Sequence, residues 1–276
     1  ENKKILETYS FLITRHRKFI KKYPNLAIYA FDLVGTEVSL SGIFEEFVLE
    51  ALKEKIFKNI DTQNSICLDI GANIGNHSLF FSQFFDKVYS FEPHPEIYDL
   101  LKINVRKSKN IEIFQFGLSN KNDEMILNTQ NGTVYGSSSL SKLDDLISFG
   151  WSSKDSETFN VKVKKFDDIS NNFNLEKKIS FIKLDVEHHE LEVLKGMKKT
   201  LKENSPIICF EQLKESFYSL DGKISTKPYT RGERLPVETG SETSKNLNET
   251  SRESCLLGCG IHVHFYNAFP PYGWSE

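Results

Sequence analysis

The chain has 276 residues, 35 Lys+Arg against 38 Asp+Glu, and a formal net charge of −3. Mean hydropathy is −0.39, with no apolar run near the ~18–20 residues a membrane span requires. Near-neutral charge argues against wholesale nucleic-acid binding, and 22 Phe with 10 Tyr exclude disorder over the whole chain. At roughly 150 residues per domain the length allows one large domain or two small ones. Glu1 and the charged residues after it have no apolar segment behind them, so no secretory leader is expected. Four cysteines are too few for a disulfide scaffold at this length. Cys67 and Cys209 sit in apolar runs and read as buried thiols, which favours a cytoplasmic setting.

Residues 3–22 carry Ile5, Tyr9, Leu12, Phe19 and Ile20 at helical spacing, with a basic cluster from Arg15 to Lys22. A helix packed on the core with a solvated basic face is the preferred reading, and contact with an anionic membrane the alternative. Residues 26–33 then read as a strand and 43–57 as an amphipathic helix, completing an extension over 1–60. From residue 65 the pattern alternates: strands at 65–71, 87–93, 111–119, 178–186 and 205–212, helices at 74–85, 95–107 and 189–203. Pro95 suits a first-turn position. Residues 120–160 are polar and broken at Asn131-Gly132 and Gly136-Ser137-Ser138-Ser139, and 161–169 alternates like a strand entering a helix. Strand–helix alternation of this kind implies an α/β fold, a mostly parallel sheet with helices on both faces, spanning 61–212. Residues 213–276 form an atypical segment, linker-like over 226–254, with 260–269 a candidate last strand.

The sharpest local signal is Asp69-Ile70-Gly71-Ala72-Asn73-Ile74-Gly75, a strand ending in an acid and a Gly-punctuated turn opening a helix. Small residues there let backbone approach a ligand closely. Glu92 falls at the end of the next strand, where nucleotide-binding α/β folds place a carboxylate for the two hydroxyls of a ribose. A dinucleotide site wants G-x-G-x-x-G. Here the order is D-x-G-x-x-x-G, and an acid beside the turn repels a pyrophosphate but suits a cationic amino group. S-adenosyl-L-methionine is therefore favoured over NAD.

The runs LDIGANIGNHSLF, SFEPHPEIYDLLKINV, FGLSNKNDE, GSSSL, VKKFDDI, FIKLDVEHHELEVLKGMKKTL and PIICFE together resemble the FkbM-type family of S-adenosylmethionine-dependent methyltransferases, in order over roughly residues 40–212. The resemblance implies a Rossmann-like class I methyltransferase fold and methyl transfer to a hydroxyl of a sugar, glycoconjugate or polyketide-like acceptor. Asp69, Gly71, Ala72, Asn73 and Gly75 would hold the methionine end, and Glu92 with Pro93 the ribose. Gly117 and Leu118 would lie against adenine, and Asp185 would line the pocket. The family reads D-V-E-G-x-E where this chain has Asp185-Val186-Glu187-His188-His189-Glu190. If that glycine needs positive φ, His188 is strained.

Hydroxyl methylation needs proton removal, and Asp185, Glu187, His188 and His189 are the candidate catalytic groups. The same cluster offers ligands for a divalent metal that would acidify a diol, and the bland alternative is a charged helix cap. The Ser-rich turn is either a set of donors to the acceptor or simply a turn. Phe44-Glu45 is read as helical packing rather than pocket closure. Cys255-x-x-x-Cys259-x-x-His262-x-His264 matches no common zinc module, and no resident metal site is assigned. Phe269-Pro270-Pro271-Tyr272 sits far from the strand tip where a base-methylating motif belongs. The rival readings are N-methylation of a nucleic-acid base or small amine, and a non-catalytic cofactor-binding protein.

Overall fold

The computed structural model describes residues 3–4, 6–8, 10–11, 25–30, 32–130, 138–148, 156–173, 175–211, 254–256 and 261–265. The basic cluster 15–22, the turn at 131–137, the segment 212–253, Cys259, residues 269–272 and the side chains of Cys255, His262 and His264 lie outside them. Among the described residues no helix is long and apolar enough to cross a membrane.

Residues 26–29 are neither helix nor strand and join no sheet. Their backbone is bound instead by a side chain: Asn104 Oδ1 accepts from Ala27 N at 2.6 Å and its Nδ2 donates to Ala27 O at 3.0 Å. The strand expected over 26–33 is therefore absent among the described residues, and Asp32 accepts from Gly35 N and caps helix α1 (Leu33–Ser41). A capping acid inside an apolar run outweighs the β-like composition around it. Helix α2 (Glu46–Lys55) follows, burying Val48, Leu49 and Leu52.

The core begins with β1 (Ile66–Ile70), buried at every position. Next come helix α3 (Asn76–Phe81), β2 (Lys87–Phe91), helix α4 (Pro95–Val105), with Pro95 in its first turn, and β3 (Ile111–Phe114). The run read as one strand over 111–119 splits. β4 (Gly117–Leu118) leaves for a second sheet with β5 (Asp123–Gln130), β6 (Ser138–Ser139) and β7 (Ser156–Lys164), in the order β4-β7-β5-β6. Thus the stretch 120–160 contains a strand, β5, that polarity hid. One face of it is exposed, with Ile126 57% accessible, while Leu127 is buried on the other.

Helices α5 (Leu143–Ser148) and α6 (Phe166–Ile169) precede β8 (Ile179–Leu184). The helix expected over 189–203 is broken at Met197 into α7 (Glu190–Gly196) and α8 (Lys198–Asn204), and β9 (Ile207–Glu211) follows. The main sheet is completed by β10 (Ser254–Leu256) and β11 (Ile261–Phe265), in the order β10-β11-β9-β8-β1-β2-β3. Its five strands β9, β8, β1, β2 and β3 are parallel, and β11 pairs antiparallel to β9.

The abundant phenylalanines form the cores on the two faces. On one, Phe57 meets Phe81, Phe85 and Phe181 edge-to-face at 6.0, 5.1 and 5.2 Å. On the other, Tyr89, Phe91 and Phe166 pack with Leu68, Leu184, Val193 and Met197. Alternation along β1 sends Leu68 and Ile70 to the second face and Cys67 to the first.

Candidate functional site

The turn after β1 is held from both neighbouring strands. Gly71 N and Ala72 N both donate to Phe91 O at 3.0 Å, and Asp185 N donates to Ile70 O at 3.0 Å. Gly71 has φ +77°, and a Cβ there would lie 1.8 Å from the Asp185 carbonyl oxygen. Only glycine fits that crossing. Asn73, two residues on, is also left-handed at φ 50°. Its N–H donates to Glu92 Oε2 at 2.9 Å, while His94 N donates to Glu92 Oε1 at 2.9 Å. Glu92 is 6% exposed, and burial pushes its carboxyl up to about 7 against the pull of those two N–H bonds and of Lys183.

These residues face one cleft of about 650 Å³, including space open to solvent. Of the residues singled out from the sequence, Gly71, Asn73, Glu92, Pro93, Gly117, Leu118, Asp185 and Glu187 share its wall. Others stand behind it. Ala72 packs with Leu101 and Val105, and Gly75 (φ +87°) is held so close to Leu101 that a Cβ would meet its Cδ1 at 2.6 Å. Asp69 is fully buried beneath the turn. It accepts from Ser78 Oγ and lies 3.7 Å from Lys183 Nζ. Asp69 is thus placed to support the turn from below rather than to touch a ligand.

Lys183 drew no attention in the sequence. Parallel pairing sets Ser90, Asp69 and Lys183 side by side on adjacent strands. Its ammonium donates to Gly71 O at 2.7 Å and pairs with Asp185 Oδ2 at 3.1 Å. Burial pulls its pKa down, but Asp185 and Asp69 outweigh that, and the net shift is upward. One cation therefore ties the β1 turn to the β8 tip. The signal for it was a lysine inside the apolar run FIKLD.

Past Asp185 the backbone is left-handed twice in succession, at Glu187 (φ 48°) and His188 (φ 71°). The positive φ anticipated for His188 is present. Ser139 of the Ser-rich turn and Ser141 just after it hold this strained pair: Ser139 Oγ donates to Glu187 O, and Ser141 Oγ to His188 O at 3.1 Å. Those two hydroxyls are engaged by the loop, while Ser138 stands in the cleft wall. His189 Nε2 is 2.9 Å from Ser119 Oγ, away from the cleft, and burial lowers its pKa. Burial likewise lowers that of His188. Glu190, the first residue of α7, accepts from Val186 N at 3.3 Å in the preceding loop, and burial raises its carboxyl. Replacing His188 with glycine is expected to stabilise the protein by about 1 kcal/mol, since relief of left-handed strain exceeds glycine's added unfolded-state freedom. A melting curve for H188G that matches or falls below wild type would contradict this.

The model of the methyltransferase FkbM domain matches residues 69–227. The chain belongs to the FkbM methyltransferase family. Hexuronic acid methyltransferase AglP of Haloferax volcanii is 27% identical over 141 residues, 51% of this chain and 53% of that protein. The chain thus spans about half the length of that curated relative. A methyltransferase FkbM from Methylobacillus flagellatus KT is similar at a TM-score of 0.39 and 16% identity, over 72% of this chain and 48% of that one. A precorrin-6y C5,15-methyltransferase from Geobacter metallireducens GS-15 is similar at 0.36 and 12%, over 72% of this chain and 75% of that one.

The FkbM domain match begins at Asp69, so it takes in the turn, Glu92 and the β8 tip but not α2 and the loop before it. That loop brings Glu45 Oε2 to 3.2 Å from His77 Nε2 on α3, within ion-pair distance but without a hydrogen bond between them. Among the described residues no group of three or more His, Cys, Asp or Glu is arranged to hold a metal ion.

Proposed function

We propose that the chain is an S-adenosyl-L-methionine-dependent O-methyltransferase acting on a hydroxyl of a sugar, glycoconjugate or polyketide-like acceptor. Membership of the FkbM family supports the reaction type, and the similarity to a hexuronic acid methyltransferase supports a sugar-type acceptor. The observation that carries the cofactor reading is Glu92: a buried carboxylate at the β2 tip, both oxygens fixed by backbone N–H groups, facing a cleft floored by Gly71 and Gly117. The residues present fit the cofactor. Each Glu92 oxygen keeps acceptor capacity beyond its one N–H bond, which suits a ribose diol. At Gly117 a Cβ would sit 3.0 Å from Leu140 Cδ1 and 3.7 Å from Pro93 Cβ, narrowing the slot where a flat ring would lie. When bound, the cofactor supplies a methyl group already activated on a sulfonium. What the chain must then do is orient the acceptor oxygen, exclude water and receive a proton.

Calorimetric titration with S-adenosylhomocysteine tests the assignment. Hydroxyl donors favour the ionised carboxylate, so affinity should rise about tenfold from pH 6 to pH 8 and plateau above a carboxyl pKa near 7. Without ligand the sign is opposite. The folded state keeps this proton where an unfolded glutamate with a value near 4.5 has lost it, so Glu92 lowers stability as pH rises through that interval. Glu92→Ala should abolish the pH dependence and weaken binding at pH 8 by roughly 2–4 kcal/mol. Undiminished binding by E92A would remove the ribose assignment.

A further inference from the structure

On the far side of the β8 tip is a second cleft of about 370 Å³, including space open to solvent. Asp185 stands in its wall as well as in that of the first cleft, so the two cavities meet at one residue. The second wall is otherwise apolar where α2 and α3 face β9, through Leu52, Phe81 and Phe210, and polar at Glu45, His77 and Lys183.

The pair of Glu45 and His77 is built, not incidental. Glu45 adopts φ 56° and ψ 42°, a conformation that costs a non-glycine residue about 1–3 kcal/mol unless its surroundings enforce it. They do. Phe44 N donates to Asn76 Oδ1 at 3.0 Å, Asn76 Nδ2 donates back to Phe44 O at 3.0 Å, and Glu45 N donates to Glu37 Oε1 at 2.8 Å. Asn76 and His77 are consecutive on α3, so the helix that starts on the glycine turn fixes both the loop and the imidazole. Strain enforced at the residue that meets a cleft histidine points to function. Of the other candidate bases, His189 is bonded to Ser119 and Asp185 is engaged by Lys183.

Resting on the methyltransferase reading above, we propose that this second cleft receives the acceptor and that His77, with the Glu45 carboxylate beside it, takes the proton of the attacking hydroxyl. The acceptor oxygen bonds the methyl carbon as the carbon–sulfur bond breaks, its electron pair leaving with sulfur as a neutral thioether. The hydroxyl proton passes to the His77 imidazole, and the Glu45 carboxylate compensates the imidazolium until water removes the proton. The wall also selects. Leu52, Phe81 and Phe210 favour an acceptor with an apolar face, while the Glu45 and Asp185 carboxylates, offset only in part by the Lys183 ammonium paired with Asp185, disfavour an acceptor bearing its own carboxylate. The preferred class is an uncharged hydroxyl on an apolar-faced molecule, unlike a hexuronic acid.

Wild type, His77→Asn and Glu45→Gln would be titrated with S-adenosylhomocysteine, then assayed with S-adenosylmethionine and either octyl glucoside or octyl glucuronide. All three proteins should bind S-adenosylhomocysteine within twofold of one another, which reports an intact fold and cofactor site. Failure of wild type to bind would sink the cofactor reading itself. With binding intact, kcat on octyl glucoside should fall at least 100-fold in H77N and about tenfold in E45Q with KM little changed, and the glucuronide should be the poorer acceptor. Independently of turnover, the imidazole NMR signals that disappear in H77N should be those that shift when octyl glucoside is added to the S-adenosylhomocysteine complex. Turnover by H77N within threefold of wild type, unmoved His77 signals, no methylation of octyl glucoside by wild type, or preference for the glucuronide would each overturn the proposal.

Discussion

Gly71→Ala is expected to abolish S-adenosylhomocysteine binding and to destabilise the protein by roughly 4 kcal/mol or more. The added methyl meets not a flexible side chain but the Asp185 carbonyl oxygen, at 1.8 Å, and does so at φ +77°. Neither strand can yield cheaply. Gly71 N is bonded to Phe91 O, and Asp185 N to Ile70 O, so moving the carbonyl breaks the ladder between β1, β2 and β8 at the end that carries the site. Chemical denaturation gives the stability loss, and calorimetry the loss of ligand. A folded G71A with wild-type affinity would mean that the turn is far more plastic than this crossing allows.

Lys183→Met should cost about 3–5 kcal/mol, because it leaves the Asp69 carboxylate buried at 0% exposure without its cation. Asp185 loses the same partner, but its side chain is 37% exposed and water can take over. The distinguishing measurement is a double-mutant cycle: Asp69→Asn combined with K183M should recover most of the loss, since removing both charges of a buried pair is far less costly than removing one. If the double variant is as unstable as the sum of the singles, the ion pair is not what holds the turn to the β8 tip.

Much of the core was legible because its logic is local. Buried strands such as ICLDI and ISFIKL are largely apolar runs with an acid, Asp69 or Asp185, at or just past the tip, and Gly71 and Glu92 stand where strand tips meet turns. Less legible were residues whose partners are distant in the chain. Lys183 looks like an exposed lysine until parallel register sets it beside Asp69, and Glu45 looks like helix surface until the α3 histidine meets it. Local composition also misled. LAIYAFDL has strand-like content, but Asn104 claims its backbone and Asp32 turns its end into a helix cap. The β5 strand was missed for the opposite reason, since a ribbon with one solvated face reads as polar sequence. Asp69 shows the same limit within the motif itself: its position beside the turn was evident, but not that its side chain faces down into the core.

The place of β11 has a consequence for how the chain folds. It lies between β9 and β10, so among the described strands the one that seals the outer edge of β9 comes latest in the chain, after residues 212–260 have intervened. Until then the parallel half of the sheet can assemble with the backbone groups of Ile207–Glu211 unpaired along one side. That open rim is a template for any extended segment, from this chain or another copy, during the interval before Ile261–Phe265 arrives. Closing so long a connection adds little entropy beyond that of a shorter one. The hazard is therefore one of timing rather than of final stability.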